Sequence, residues 1–130
     1  MKPMVEKAVD EIRTTFKGHQ VDASADSDGG AFVKVHDVDV GEKLSPTQVT
    51  VAFRITFQHP HADVYPHFLI GKVKRQNGQQ LGQGFHDRQW EGHDEKLDAT
   101  MVSRRSNRRD PAVDTPALKL LRVIEWIRKQ

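Results

Sequence analysis

Cysteine is absent from the sequence, and that one omission removes disulfides, thiolate metal sites and thiol nucleophiles together. It fits a reducing compartment. Also lacking is an uninterrupted apolar run at the start, because MKPMVEKAVDEIRTTF carries acidic residues among its apolar ones. That stretch reads as neither a secretory signal nor a membrane span, so the expectation is a cytoplasmic protein without a membrane partner. A strong charge of one sign is missing too. Formal net charge is only +2, so attraction to nucleic acid or acidic lipid would need a local cluster. What is present is 130 residues, 36% hydrophobic and 29% charged. Such a composition folds, and the length suits one domain over residues 1–130 with no internal repeat.

Met4, Val5, Ala8, Val9, Ile12 and Phe16 recur at helical spacing with charged residues between them, which predicts an opening amphipathic helix. The Ser, Asp and Gly of QVDASADSDGG predict a connection into the first strand, over Ala31 to Val40. Ser45-Pro46 marks a turn. Val49, Val51, Phe53, Ile55 and Phe57 then alternate with Thr50, Ala52, Arg54 and Thr56, the pattern of a strand with one buried face. A third strand is expected from about Pro66 to Arg75, ended by the Asn77-Gly78 turn signal. Residues 78–98 are polar and rich in glycine, and predict a long ordered loop anchored by Leu81, Phe85 and Trp90. In DTPALKLLRVIEWIRKQ, Thr115 suits an N-cap, Pro116 the first helical position, and Leu120, Leu121, Ile124 and Ile127 a buried stripe. The fold class is therefore α+β: a helix, an antiparallel meander of three to four strands, a long loop, and a helix packed on the sheet.

Three clusters invite chemistry. SRRSNRR carries Arg104, Arg105, Arg108 and Arg109. Four arginines in a loop suit a solvated surface, a docking or catalytic site, or a phosphate-binding patch, and no aromatic residue interleaves them as single-strand binding would require. HPHADVYPH holds His59, His61, Asp63 and His67, but a metal site of that type needs further ligands from a larger fold, so loop histidines and no metal are expected. GQQLGQGF matches neither the phosphate-loop nor the dinucleotide spacing and reads as turn chemistry. Trp90 and Trp126 suit packing, and Trp90 is also a candidate partner contact.

FRITFQHPHADVYPHF resembles the third strand of the ubiquitin-conjugating (E2, or UBC) family running into its Tyr-Pro turn, here Tyr65-Pro66. RRDPAVDTPALKLLRVIEWI resembles the stretch leading from that family's active-site region into its central helix, with Pro111-Ala112 at its Pro-Ala step. SRRSNRRDPA is similar to a segment of bacterial members of the superfamily. The resemblance spans about residues 4 to 127. It implies a UBC-like fold and an E2-like role in a bacterial ubiquitin-like conjugation pathway, of the kind found in phage defence. An E1-like activating enzyme would supply the modifier's C-terminus for transfer to an amine. Neither a cofactor nor nucleic acid is implied.

The sequence departs from the family twice. The His-Pro-Asn motif has no counterpart, since His59-Pro60 precedes Tyr65-Pro66 instead of following it. The nucleophile's register, about ten residues before Pro111, falls near Met101 in LDATMVSRRS, where no thiol stands. Three readings follow. A native Cys at Ala99 has been replaced; or the chain is an inactive scaffold that docks an acidic partner; or Thr100, Ser103 or Ser106 forms an oxyester. The resemblance makes residues 100–107 the active-site loop; by residue type, Asn107 suits an oxyanion donor, Arg104, Arg105, Arg108 and Arg109 suit stabilising that oxyanion, orienting a C-terminal carboxylate or docking a partner, and Trp90 suits a partner contact. A hydroxyl would also need a base, and His86 and His93 qualify by residue type.

Overall fold

A computed structural model describes all residues, 1–130. Helix α1 (Pro3–Thr15) is followed by β1 (Val21–Ala25), β2 (Ala31–Asp39), β3 (Leu44–Ser45), β4 (Gln48–Ile55) and β5 (His67–Ile70). Then come β6 (Lys74–Arg75), β7 (Phe85–Gly92), β8 (Glu95–Val102) and helix α2 (Pro116–Arg128). Six strands form one antiparallel sheet in the order β1-β2-β4-β5-β8-β7, while β3 pairs only with β6.

Period-two alternation explains the sheet's two faces. Val33, Val35, Val51, Phe53, Ile55 and Leu69 point to one side and join Val5, Ile12, Leu120, Val123 and Ile127 of the helices in one buried cluster. Both helices thus cover the same face. On the other face Ala52, Trp90 and Ala99 form a small buried cluster, edged by Phe32, Phe68, Ile70 and Leu97. Close approach shapes the β1–β2 turn: a Cβ on Gly30 would sit 2.3 Å from the Ile55 carbonyl oxygen, so no other residue fits there. Asp26 Oδ1 accepts the N–H groups of Asp28 and Gly30 at 2.8 and 2.7 Å, and Arg54 pairs with Oδ2 at 2.8 Å.

Both helices, β2 and β4 lie where the sequence places them, and Thr115 caps α2 by accepting the Leu118 N–H at 3.2 Å. Four expectations need correction. QVDASADSDGG is not all connection, because Val21–Ala25 adds β1 at the sheet edge. The expected third strand ends at Ile70, and Lys74–Arg75 leaves it to pair with Leu44–Ser45. The expected loop over 78–98 is largely the β7–β8 hairpin, in which Phe85 pairs with Val102 and Trp90 with Leu97. Its polarity misleads because β7 is an edge strand, which takes charged residues along its solvent side. Finally, Leu121 is 42% exposed and Val123 replaces it in the stripe, while Met4 and Phe57 also lie at the surface.

Replacing Leu120, fully buried, with Ala is expected to cost about 2–5 kcal/mol, whereas Leu121→Ala should stay within about 0.5 kcal/mol. Urea denaturation of the two variants distinguishes them, and equal losses would contradict the packing of α2.

Candidate functional site

Three segments meet beside the N-terminal half of α2: the β4–β5 connection, the 103–115 loop, and the helix itself. Asp63 joins them. Its carboxylate accepts the Ser106 N–H and O–H, both at 2.8 Å, and the Lys119 ammonium at 2.9 and 3.2 Å. Lys119 Nζ also donates to Ser106 Oγ at 2.9 Å, so the three groups close a triangle. The side chain of Lys119 is only 9% exposed. Burial pushes its pKa down, as do Arg104 and Arg109, and Asp63 opposes them by bond and charge. Burial alone would raise the pKa of Asp63, but the Ser106 N–H, Lys119 and the Ser106 hydroxyl overbalance it and hold the carboxyl below its ordinary value. The peptide bonds before Pro60 and Pro66, which bracket this carboxylate, are both cis.

The arginines divide into two kinds. Arg109 is structural: it donates to the carbonyls of Pro60 and His61 and lies 3.8 Å from Asp63. Arg104 and Arg105 are held by aromatic faces instead, over Trp126 at 4.6 Å and Tyr65 at 3.9 Å from the ring centres. Trp126 is in turn stacked on Phe85. A cleft opens between these arginines and α2, lined by Arg104, Arg105, Ser106, Asn107, Lys119, Arg122, Val123 and Trp126. Arg122 is paired with Asp114 at 2.9 Å. Arg108 is exposed, with a backbone φ of 50°.

The structure scatters the expected site residues. Ala99, Thr100 and Met101 belong to β8, so residues 100–107 are not one loop but the end of a central strand plus the start of a loop. Ala99 is 2% exposed on the face opposite the helices, beside Ala52 and Trp90. Thr100 is buried on the helix side and its hydroxyl is fully used, accepting the Val73 N–H at 3.1 Å and donating to the Gly71 carbonyl at 3.2 Å. Met101 pairs across the sheet with Phe68 and His86. The strand pairings supply the physical reason: in mid-sheet, neither flank of this run is open to a macromolecular substrate. Ser103 begins the loop, its N–H bonded to the Gly84 carbonyl at 2.8 Å. Of the expected catalytic residues only Ser106 and Asn107 reach the cleft, together with Arg104 and Arg105.

Trp90 is 3% exposed and packs between Phe32 and Phe68, which leaves almost none of its surface for a partner. His86 lies on the edge strand and His93 in the hairpin turn, where it faces Asp94 at 3.2 Å; neither lines the cleft. In HPHADVYPH, Asp63 is committed to Lys119 and Ser106, His61 is exposed, and His67 is fully buried against Phe53. Both ring nitrogens of His67, and Nδ1 of His59, lack a hydrogen-bond partner. A separate ladder crosses the open face, where His36 bonds Asp22 at 2.7 Å and Thr50 at 3.1 Å, tying β1, β2 and β4 together. Lys119 and Arg122 are site residues the sequence left unmarked, and Tyr65 and Trp126 were read there only as a turn and as packing. One signal was available, because Lys119 shares a helical face with Val123 and Trp126 at i+4 and i+7.

The class defined by these features is an α+β protein with one antiparallel sheet, two helices on one face, and an arginine-lined cleft beside the second helix. No family, curated protein or solved structure matches the chain in comparisons with each. No helix is long and apolar enough to cross a membrane.

Two stability predictions follow from the buried polar groups. Asp63→Asn leaves Lys119 buried without its counter-charge, and is expected to cost about 3 kcal/mol by urea denaturation at neutral pH. For His67, burial pushes the pKa from 6.5 down to about 3. The unfolded chain therefore takes up this proton first as pH falls, and stability is lost between those two values. His67→Phe, which keeps a planar ring, is expected to remove several kcal/mol of that acid sensitivity, at about 1.4 kcal/mol per pH unit. Parallel acid limbs for the two proteins would contradict it.

Proposed function

We propose that this chain is an E2-like component of a bacterial ubiquitin-like conjugation pathway, and that it acts as a docking domain holding an acidic segment of its partner in the arginine cleft. The pathway rests on the family resemblance of the segments around Tyr65-Pro66 and Pro111-Ala112. The docking role rests on one observation: Arg104 and Arg105 lie over aromatic rings, line a concave surface, and have no acidic partner in the chain. A guanidinium with its flat face occupied keeps its N–H edge for a carboxylate or phosphate. On this reading the partner is the modifier or its E1-like activating enzyme, and no thioester forms.

A specific contact favours a second reading, in which the modifier is transferred. Ser106 Oγ lies 2.9 Å from Lys119 Nζ at the edge of the cleft. A neutral lysine there could take the hydroxyl proton as Ser106 attacks the carbonyl of the modifier's thioester on the activating enzyme, giving an oxyester as the C–S bond breaks and the departing thiolate receives the proton. Asp63 works against this by favouring the charged ammonium. Docking is the reading the geometry supports better.

Incubation with the pathway's activating enzyme, modifier and ATP, followed by native and intact mass spectrometry, separates the two. Docking predicts a non-covalent complex weakened about tenfold or more in Arg104→Gln/Arg105→Gln, with no added covalent mass. Transfer predicts an alkali-labile adduct that disappears in Ser106→Ala and persists in Ser103→Ala and Thr100→Ala. A chain that forms neither complex nor adduct overturns both readings.

A further inference from the structure

The uncompensated charge in the cleft can be counted. Lys119 is answered by Asp63 and Arg122 by Asp114, each at 2.9 Å. Arg109, outside the lining, is turned towards Asp63 and two backbone carbonyls. Arg104 and Arg105 remain, each over an aromatic ring and without a carboxylate. Two exposed arginines without a carboxylate partner therefore line one small concave space. Its volume of about 190 Å³ is below the usual small-molecule range of about 300–1,000 Å³ and suits a single side-chain group better than a whole metabolite.

We propose that the cleft binds a phosphate monoester borne by a protein partner, a phosphoserine or phosphothreonine side chain. This rests on the docking reading of the same cleft and narrows the chemistry of what docks. A carboxylate brings one negative charge, whereas a phosphate monoester brings about 1.5 to 2 at pH 7 with three acceptor oxygens. Two free guanidiniums match that charge, and their planar forks suit its oxygens. Asn107 adds a side-chain amide on the same wall. Nucleic acid fits less well. Each phosphodiester carries a single charge, and the Trp126 ring is already stacked against Phe85 and Arg104, where base stacking would need it free.

The test uses the full chain in phosphate-free buffer, titrated with Ac-Gly-pSer-Gly-NH2 and with Ac-Gly-Glu-Gly-NH2 and followed by NMR shifts of the Trp126 indole and the 103–110 amides. The phosphopeptide is expected to bind at least about tenfold more tightly. Arg104→Gln and Arg105→Gln should each remove most of that preference, and Arg13→Gln on α1 should leave it unchanged. Similar affinities for the two peptides overturn the phosphate assignment but leave docking of acidic segments standing. If neither peptide shifts these resonances, the phosphate assignment fails, and docking is then judged by the complex with the modifier or activating enzyme. A single-stranded oligouridine that binds more tightly than the phosphopeptide, and loses affinity in the same variants, overturns it in favour of nucleic acid.

Discussion

The ion pair between Asp63 and Lys119, closed by Ser106, is the constraint on which the rest of the site depends. Removing a lysine ammonium and a carboxylate from water costs several kcal/mol per ion, and the pair is tolerable only because nearly every donor and acceptor is used. Lys119 directs hydrogen bonds to both Asp63 oxygens and to Ser106, while Ser106 returns its O–H and N–H to the same carboxylate. These bonds tie the 103–115 loop to α2 and to the β4–β5 connection. Without them the loop would carry its arginines on a flexible tether, and with them Arg104 and Arg105 meet Trp126 and Tyr65 at fixed places. A structural triangle thereby becomes the support of an arginine-lined surface.

The sheet beneath decides which residues can take part. Placing β8 between β5 and β7 carries Ala99 and Thr100 into mid-sheet, one on each face. A thiol at position 99 would be enclosed beside Trp90 and Ala52, and the hydroxyl at position 100 already bridges Val73 and Gly71. The missing cysteine therefore marks no vacancy in an open groove. Chemistry, if the chain performs any, has to be sought beyond the strand's end, where Ser106 is the hydroxyl that meets both an ammonium and a cleft.

Much of this was legible in advance. The helical spacing of Val5, Ala8, Val9 and Ile12, the alternation of Val49, Val51, Phe53 and Ile55, and the cap at Thr115 all act over a few residues, and all appear in the structure. The hairpin over 85–102 was not, because an edge strand needs no apolar alternation and its anchors Phe85 and Trp90 face opposite sides of the sheet. The arginine cluster drew notice as a run of charge, yet only two of its four members face the cleft without a counter-charge. Arg109 has the same side chain and a structural task, and that difference arises from partners 46 to 49 residues away in sequence.

By itself, the sequence determined the two helices, the central strands, the absence of thiol chemistry, and the crowding of cationic side chains between the last strand and the last helix. These are properties of local spacing and residue type. Tertiary structure alone decided which cations are neutralised, which aromatic rings hold the others, and that Lys119 is buried against Asp63, 56 residues earlier. Pairing and desolvation are set by neighbours in space, and no local pattern in the chain encodes them.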